Sequence, residues 1–475
     1  MVKNMKKSVK FAVIADPHYY SEKLGNSGIA YTMRANSDQK MLAHSKGVIS
    51  AALEEIKNSD AEFLLIAGDL SNDGERVSHE EMRHFLYEFK KHKPVYIITA
   101  THDWCCDGNP RRFEGAKVYH DVETLKPEEL RDFYKDFGPD DAVSEFFTHQ
   151  KKSSYVIRPA ENVSVFCLDD DQDGQGNSGY SKEHFTWIKE ELENARKRGD
   201  FVFGMQHHHM LLTEFDRIIN SKSSVERKEK LSKEFADAGL SVMFTGHSHM
   251  HHIRRVDTEN NNHFYEFNVA SIGGYPAPIV YCTLTENGIE TKTKHLEKYE
   301  YNGKTYTNDH LKNHATFLFE NVFEAAKNNR KLEFVTLLVS IGISNKKAKN
   351  LWLFLGNLIK AISEISVYKT ARIINFFTFG KAFTISEAKK LKNVRLTSVI
   401  FELFHSILDG SVVKHERTSP YYIIVTQALS LPLRIVRKLH IKNSNLLRIL
   451  THLENAADEI LTGDPIDANN AFLEF

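Results

Sequence analysis

Cysteine is scarce: the 475 residues contain four, Cys105, Cys106, Cys167 and Cys282. Their number and placement exclude a disulfide framework, and none shows the spacing of a metal finger. Long apolar runs are missing as well. No stretch of about 18 apolar residues occurs, so no membrane-spanning helix is expected. The N-terminal stretch is rich in lysine but has no apolar signal core and no small-residue cleavage site. A cytoplasmic protein with reduced thiols is the expectation. An excess of one charge is lacking too. The net charge is −1, which points to no particular partner. The C-terminal part shows neither a 20–50-residue repeat nor a low-complexity segment.

What is present is ample apolar sequence, 41%, and a length that suggests two or three domains. Charge is unevenly spread. Residues 301–475 carry 23 Lys and Arg against 15 Asp and Glu, while residues 1–300 carry 39 against 48. An acidic first part and a basic last part suggest two modules with different surfaces.

The first part repeats one pattern, an apolar strand followed by Asp or His. Residues 10–15, Lys-Phe-Ala-Val-Ile-Ala, end in Asp16-Pro17-His18. Residues 62–67 end in Gly68-Asp69-Leu70-Ser71-Asn72-Asp73-Gly74. Residues 95–99 lead to Ala100-Thr101-His102-Asp103, and 201–205 lead to Gln206-His207-His208-His209. Residues 241–245 lead to Gly246-His247-Ser248-His249. Helical periodicity over 38–57 and 78–92 separates the first three strands. Such alternation predicts a parallel α/β start, whose strand ends share one edge and face a crevice. Carboxylates and neutral imidazoles gathered there suit borderline divalent metals, Mn, Fe or Zn. An Asp between two such ions can bridge them.

Taken together, the five stretches resemble the calcineurin-like metallophosphoesterase superfamily. Its pattern is Asp-x-His, Gly-Asp, Gly-Asn-His-Asp/Glu, a His after a strand, then Gly-His-x-His. Order and strand context match over about residues 8–297. The resemblance implies a two-sheet β-sandwich flanked by helices, with two divalent metal ions at the strand ends. It further implies Asp16, His18 and His249 as ligands of the first metal, Asp69 as the bridge, and His207 and His247 as ligands of the second. His102 would face the substrate and protonate the leaving oxygen, with Asp103 orienting it. The implied nucleophile is a metal-bound hydroxide.

Two departures stand out. Ala100-Thr101 replaces the family's Gly-Asn, so the Thr101 hydroxyl, shorter and a poorer ligand, would have to serve the second metal. Three consecutive His blur the fourth motif. Strand alternation would let His207 and His209 share a direction while His208 opposes them. The family pattern favours His207, with His208 as the alternative.

Elsewhere the sequence says less. Residues 104–150 read as an insertion that could cap the site. Asp169 to Asp173 reads as a solvated acidic loop near the site mouth, since it lacks a full calcium-loop spacing. Arg34, Lys40, Arg111, Arg112 and Tyr275 lie in segments that could reach a phosphate. From about Asp309 the apolar spacing becomes helical, predicting an all-α C-terminal domain of five or six helices over 301–475 after a catalytic domain over 1–300. Its aromatics, among them Phe317, Phe323, Trp352 and Phe376, read as core packing, and it could serve a homo-oligomer. Its basic face allows nucleic acid but does not favour it. The expected function is metal-dependent hydrolysis of a phosphate ester, leaning to a phosphodiester or nucleotide. The rival reading is a non-catalytic scaffold of the same fold.

Overall fold

The computed structural model describes residues 8–171, 178–219, 222–340, 345–377, 380, 385–440 and 444–475. Two sheets lie face to face. The first has strand order Asn470–Glu474, Gly288–His295, Pro278–Thr285, Val9–Ile14, Phe63–Ala67, Val95–Ile98. Its last three strands run parallel, as the sequence pattern predicts. The second has order His252–Asp257, His263–Asn268, Val242–Thr245, Phe201–Met205, Val163–Cys167, Ser153–Ala160, Ser144–Phe147. Its four middle strands are parallel to one another.

The central strands are apolar throughout because both of their faces are buried. Phe11 and Val13 of the first strand, and Ala15 just after it, lie between the sheets, where they meet Phe63, Leu65, Phe203 and Phe244. Phe11 stacks on Phe63 and Phe203 with centroids 5.2 and 4.8 Å away. Ala12 and Ile14 face the other way, onto Val48, Ile49 and Ala52 of the Ser45–Lys57 helix. This period of two, buried on both sides, locks register: a one-residue slip would exchange the two sets.

The stretch expected to cap the site mostly packs elsewhere. Leu130, Tyr134 and Phe137 join the core under the Arg76–Lys90 helix, and Ser144–Phe147 is an edge strand of the second sheet. The Arg112–Glu114 and Lys117–Tyr119 hairpin packs on a smaller cluster, with Phe113 buried against Tyr20, Leu24 and Tyr31.

Beyond residue 308 helices follow one another up to Ser444–Thr462. Phe317 and Phe376 are exposed, against the expectation of core packing, whereas Phe323 lies against Phe401 and Trp352 against Phe334. No described helix is long and apolar enough to cross a membrane. The chain then returns. Asn470–Glu474 pairs antiparallel with Gly288–His295, and Leu473 enters the inter-sheet core. The helical part is therefore tied back into the first sheet by its own last strand. It also docks by side chains: Tyr275 Oη donates to Asp409 at 2.9 Å, Arg254 pairs with Asp464 at 2.8 Å, and His452 with Glu214 at 2.7 Å.

Candidate metal centre

The sheets bring the strand ends to one crevice, and the backbone bends sharply as it enters. Asp16, His18, Asp69, His247 and His249 all have positive φ, between 43° and 73°. Each such residue costs on the order of 1–3 kcal/mol, so the packing around them must hold them there. Close approach needs glycine at two positions. A Cβ on Gly246 would lie 2.2 Å from Asp16 Oδ2, and one on Gly68 would lie 2.7 Å from His207 Nδ1.

Asp16 is fully buried and accepts the backbone N–H of His247. Its Oδ1 lies 3.7 Å from His18 Nε2, 3.5 Å from His249 Nε2 and 4.0 Å from His207 Nε2. Asp69 Oδ2 lies 3.7 Å from His18 Nε2 and 3.1 Å from His207 Nε2. Among the described residues, four triads have ligand atoms within 4.8 Å of one another: Asp16, His18, His249; Asp16, Asp69, His207; His18, Asp69, His102; and His207, His208, His247. Several outer ring nitrogens are spoken for. His207 Nδ1 donates to the Ala67 carbonyl at 2.9 Å, and His249 Nδ1 meets Gln39 Oε1 at 2.7 Å. Such partners fix the ring and turn the other nitrogen inward.

The electrostatics follow from burial. Burial opposes the charge on Asp16, but the His18 and His249 contacts outweigh it and hold the carboxyl below its usual range. Burial also opposes a charge on His207, yet Asp69 and Asp16 raise its pKa to about 10. His18, pressed by burial and by Lys40, falls to about 3. Two buried carboxylates thus draw positive charge into a cage of imidazoles.

This donor set fits divalent cations. Buried carboxylates demand a cation, and mixed Asp and His donors suit Mn, Fe or Zn. His207 Nε2 is buried without a hydrogen-bond partner among the described residues. For His207 the nearby Asp69 oxygen is close but misaligned for a hydrogen bond, as two ligands aimed at a common point would be.

The model of the calcineurin-like phosphoesterase family matches residues 9–251. The chain belongs to that family. It is a family of hydrolases acting on phosphate esters. Among solved structures the chain is similar to a dimetal phosphatase from Danio rerio, at 12% identity over 63% of this chain and 99% of that one, TM-score 0.41. It is similar also to a purple acid phosphatase from yellow lupin (Lupinus luteus) seeds, at 12% identity over 64% and 53%, TM-score 0.39. A 5′-nucleotidase precursor from Thermus thermophilus aligns at 10% identity over 76% and 61%, TM-score 0.35. No curated protein matches.

Within this phosphoesterase three expectations change. Asp103 does not orient His102. Its carboxylate accepts the N–H groups of Ala100 and Ser71, both at 2.9 Å, and so caps the 101–104 turn. His102 is held instead by the Asn72 carbonyl, to which Nδ1 donates, and by Asp73, whose Oδ1 lies 3.7 Å from Nδ1. The second correction concerns residues 169–171, which are buried rather than solvated. Lys152 Nζ sits 3.1 Å from Asp169 and 3.0 Å from Asp171, while Asp170 meets His208. Asp173 lies outside the described residues. Third, the alternation argued for His207 to His209 does not apply. The strand stops at Met205 and the three His follow in a loop.

Thr101 opens the turn, buried at 6% exposure. The expected phosphate-seeking cations are mostly committed. Arg34 pairs with Asp38 at 2.5 Å, Arg111 with Asp73 at 2.8 Å and Arg112 with Asp121 at 2.7 Å. Lys40 is buried, 3.6 Å from Asp38. Sequence reading gave no role to Gln39, Asp73 or Asp170. Asp73 had a signal in the loop that follows Asp69, and Asp170 one in the acidic run near the site mouth; Gln39 had none.

Proposed function

We propose that this phosphoesterase hydrolyses a phosphodiester or a nucleotide at a two-metal centre. Asp16, His18 and His249 would hold one ion, His207 and His247 the other, with Asp69 between them. The observation that carries this reading is the place of Asp69, whose Oδ2 stands between His18 Nε2 at 3.7 Å and His207 Nε2 at 3.1 Å. Ions of the Mn, Fe or Zn class supply Lewis acidity toward phosphoryl oxygens and make water a stronger acid.

The chain's own groups then have defined tasks. His102 is half-exposed at the rim, its ring edge-on to His18 at 4.8 Å. Burial and Lys40 oppose its charge, but Asp69 and Asp73 outweigh them and raise its pKa from the ordinary imidazole value. With Nδ1 donating to Asn72 O, Nε2 is the ring nitrogen left to carry a proton to the leaving oxygen. That favours substrates with poor leaving groups, such as dialkyl-type phosphodiesters, where general acid help counts most.

The test is metal analysis together with a Mn²⁺-dependent assay on an alkyl phosphodiester and an alkyl phosphomonoester, whose poor leaving groups need the acid. Two ions per chain, diester turnover and its loss in His102→Ala are expected. A chain without metal and without turnover on either substrate would establish the scaffold reading, which Thr101 favours.

A further inference from the structure

We infer that His208, held by Asp170, is a further ligand of the second metal and supplies the donor that Thr101 cannot. The inference rests on the two-metal reading.

The geometry behind it begins one residue after the strand. Gln206 pins the loop: its N–H donates to Phe244 O at 3.0 Å, its Nε2 donates to His208 O at 2.6 Å, and Tyr180 Oη donates to its Oε1 at 2.6 Å. Freed from strand alternation, the His rings gather rather than oppose. His208 lies 5.0 Å from His207 and 4.4 Å from His247 between ring centroids. One ring nitrogen of each falls within 4.8 Å of the others.

Asp170 grips His208 twice. Its Oδ2 accepts the His208 backbone N–H at 2.9 Å, and its Oδ1 lies 3.1 Å from ring Nδ1. Both residues are buried. With Nδ1 committed to the carboxylate, Nε2 is the nitrogen left for a third partner. Carboxylate, imidazole and metal in a row is the usual second-layer support of a ligating His. A His that merely packed would need neither the double grip nor two imidazoles beside it. Thr101 gives the reason for a substitute. The family's Asn offers an amide oxygen at that position, and Thr101 has only a short hydroxyl.

The experiment is titration of metal-stripped full-length chain with Co²⁺, reading stoichiometry, affinity by chelator competition, and the visible d–d spectrum. Wild type should take up two ions. His208→Ala should keep one site unchanged and weaken the other by well over about 10-fold, with a changed d–d spectrum. Asp170→Asn keeps shape but turns a donor toward Nδ1 and flips the tautomer; about 10–100-fold weaker second binding is expected. Adding Thr101→Asn to His208→Ala should restore the second site in part. Should His208→Ala fail to fold, by circular dichroism, Asp170→Asn decides through the same titration. Two ions bound at wild-type affinity in the folded His208→Ala chain, or in Asp170→Asn, would overturn the inference and leave the two-metal reading standing. A wild-type chain that takes up fewer than two ions at saturating Co²⁺ would overturn both.

Discussion

Gly246→Ala is the substitution that tests the centre's packing most directly. The added Cβ would lie 2.2 Å from Asp16 Oδ2, where a carbon and an oxygen normally keep about 3.3 Å. The carboxylate oxygen must therefore move by about 1 Å. Retreat of the methyl is blocked, since Ala15 Cβ stands 3.1 Å and Ala67 O 3.2 Å from it. Asp16 has little freedom either. It is fully buried, and both its oxygens sit 3.1 Å from the His247 N–H. Overpacking of this kind costs about 1–3 kcal/mol of stability. A misplacement of about 1 Å at a reacting centre costs on the order of 100-fold in rate. The assays are metal content, kcat/KM on an aryl phosphodiester, and thermal unfolding. Gly303→Ala is the control, because its Cβ meets nothing within 4 Å and only the left-handed backbone, φ 71°, is strained. Gly246→Ala with full metal content and activity within about two-fold of wild type would refute the idea that Asp16 is held against this glycine.

Four other outcomes are expected. His102→Ala should lose about 10²–10⁴ in kcat while metal content stays at the wild-type value; lost metal would move His102 from acid to ligand. Lys152→Met strands the buried Asp169 and Asp171 carboxylates, and urea unfolding should show about 3–5 kcal/mol of lost stability, with less than about 1 kcal/mol counting against a buried ion triad. Glu75 is raised to about 7, first by burial and then by the Asp73 charge. The folded chain binds that proton more tightly than the unfolded one, so stability is fullest below about 4.3 and falls as pH rises toward 7. Glu75→Gln should flatten this part of the Tm-versus-pH curve, and an unchanged slope would exclude Glu75 as its source. Leu473→Ala should cost about 2–5 kcal/mol, since Leu473 is fully buried between the sheets. An unaltered Tm would mean that the returning strand contributes nothing.

Much of this protein could be read without coordinates. Phe-Ala-Val-Ile and Phe-Leu-Leu-Ile-Ala are apolar on both faces, and only strands between two layers are so. Polar residues such as Asp16, Asp69 and His247 at their ends must then lie on one edge, because parallel strands end on the same side. The family follows from that order of residues, and the two-sheet fold with it. Contacts between distant segments were not readable. Asn470–Glu474 is a short, weakly apolar stretch that pairs with residues about 180 positions earlier, and local sequence carries no record of such a partner. The run at 169–171 looks solvated until Lys152 is found beside it. Whether Asp103 or Asp73 steadies His102 depends on how two loops turn, not on which carboxylate is adjacent in sequence. The sequence by itself thus determined which strand-end side chains reach the crevice, since periodicity and strand ends are local properties. The tertiary structure alone decided which of them face one another, because distances of 3–4 Å between Asp69, His18 and His207 arise from packing two sheets together.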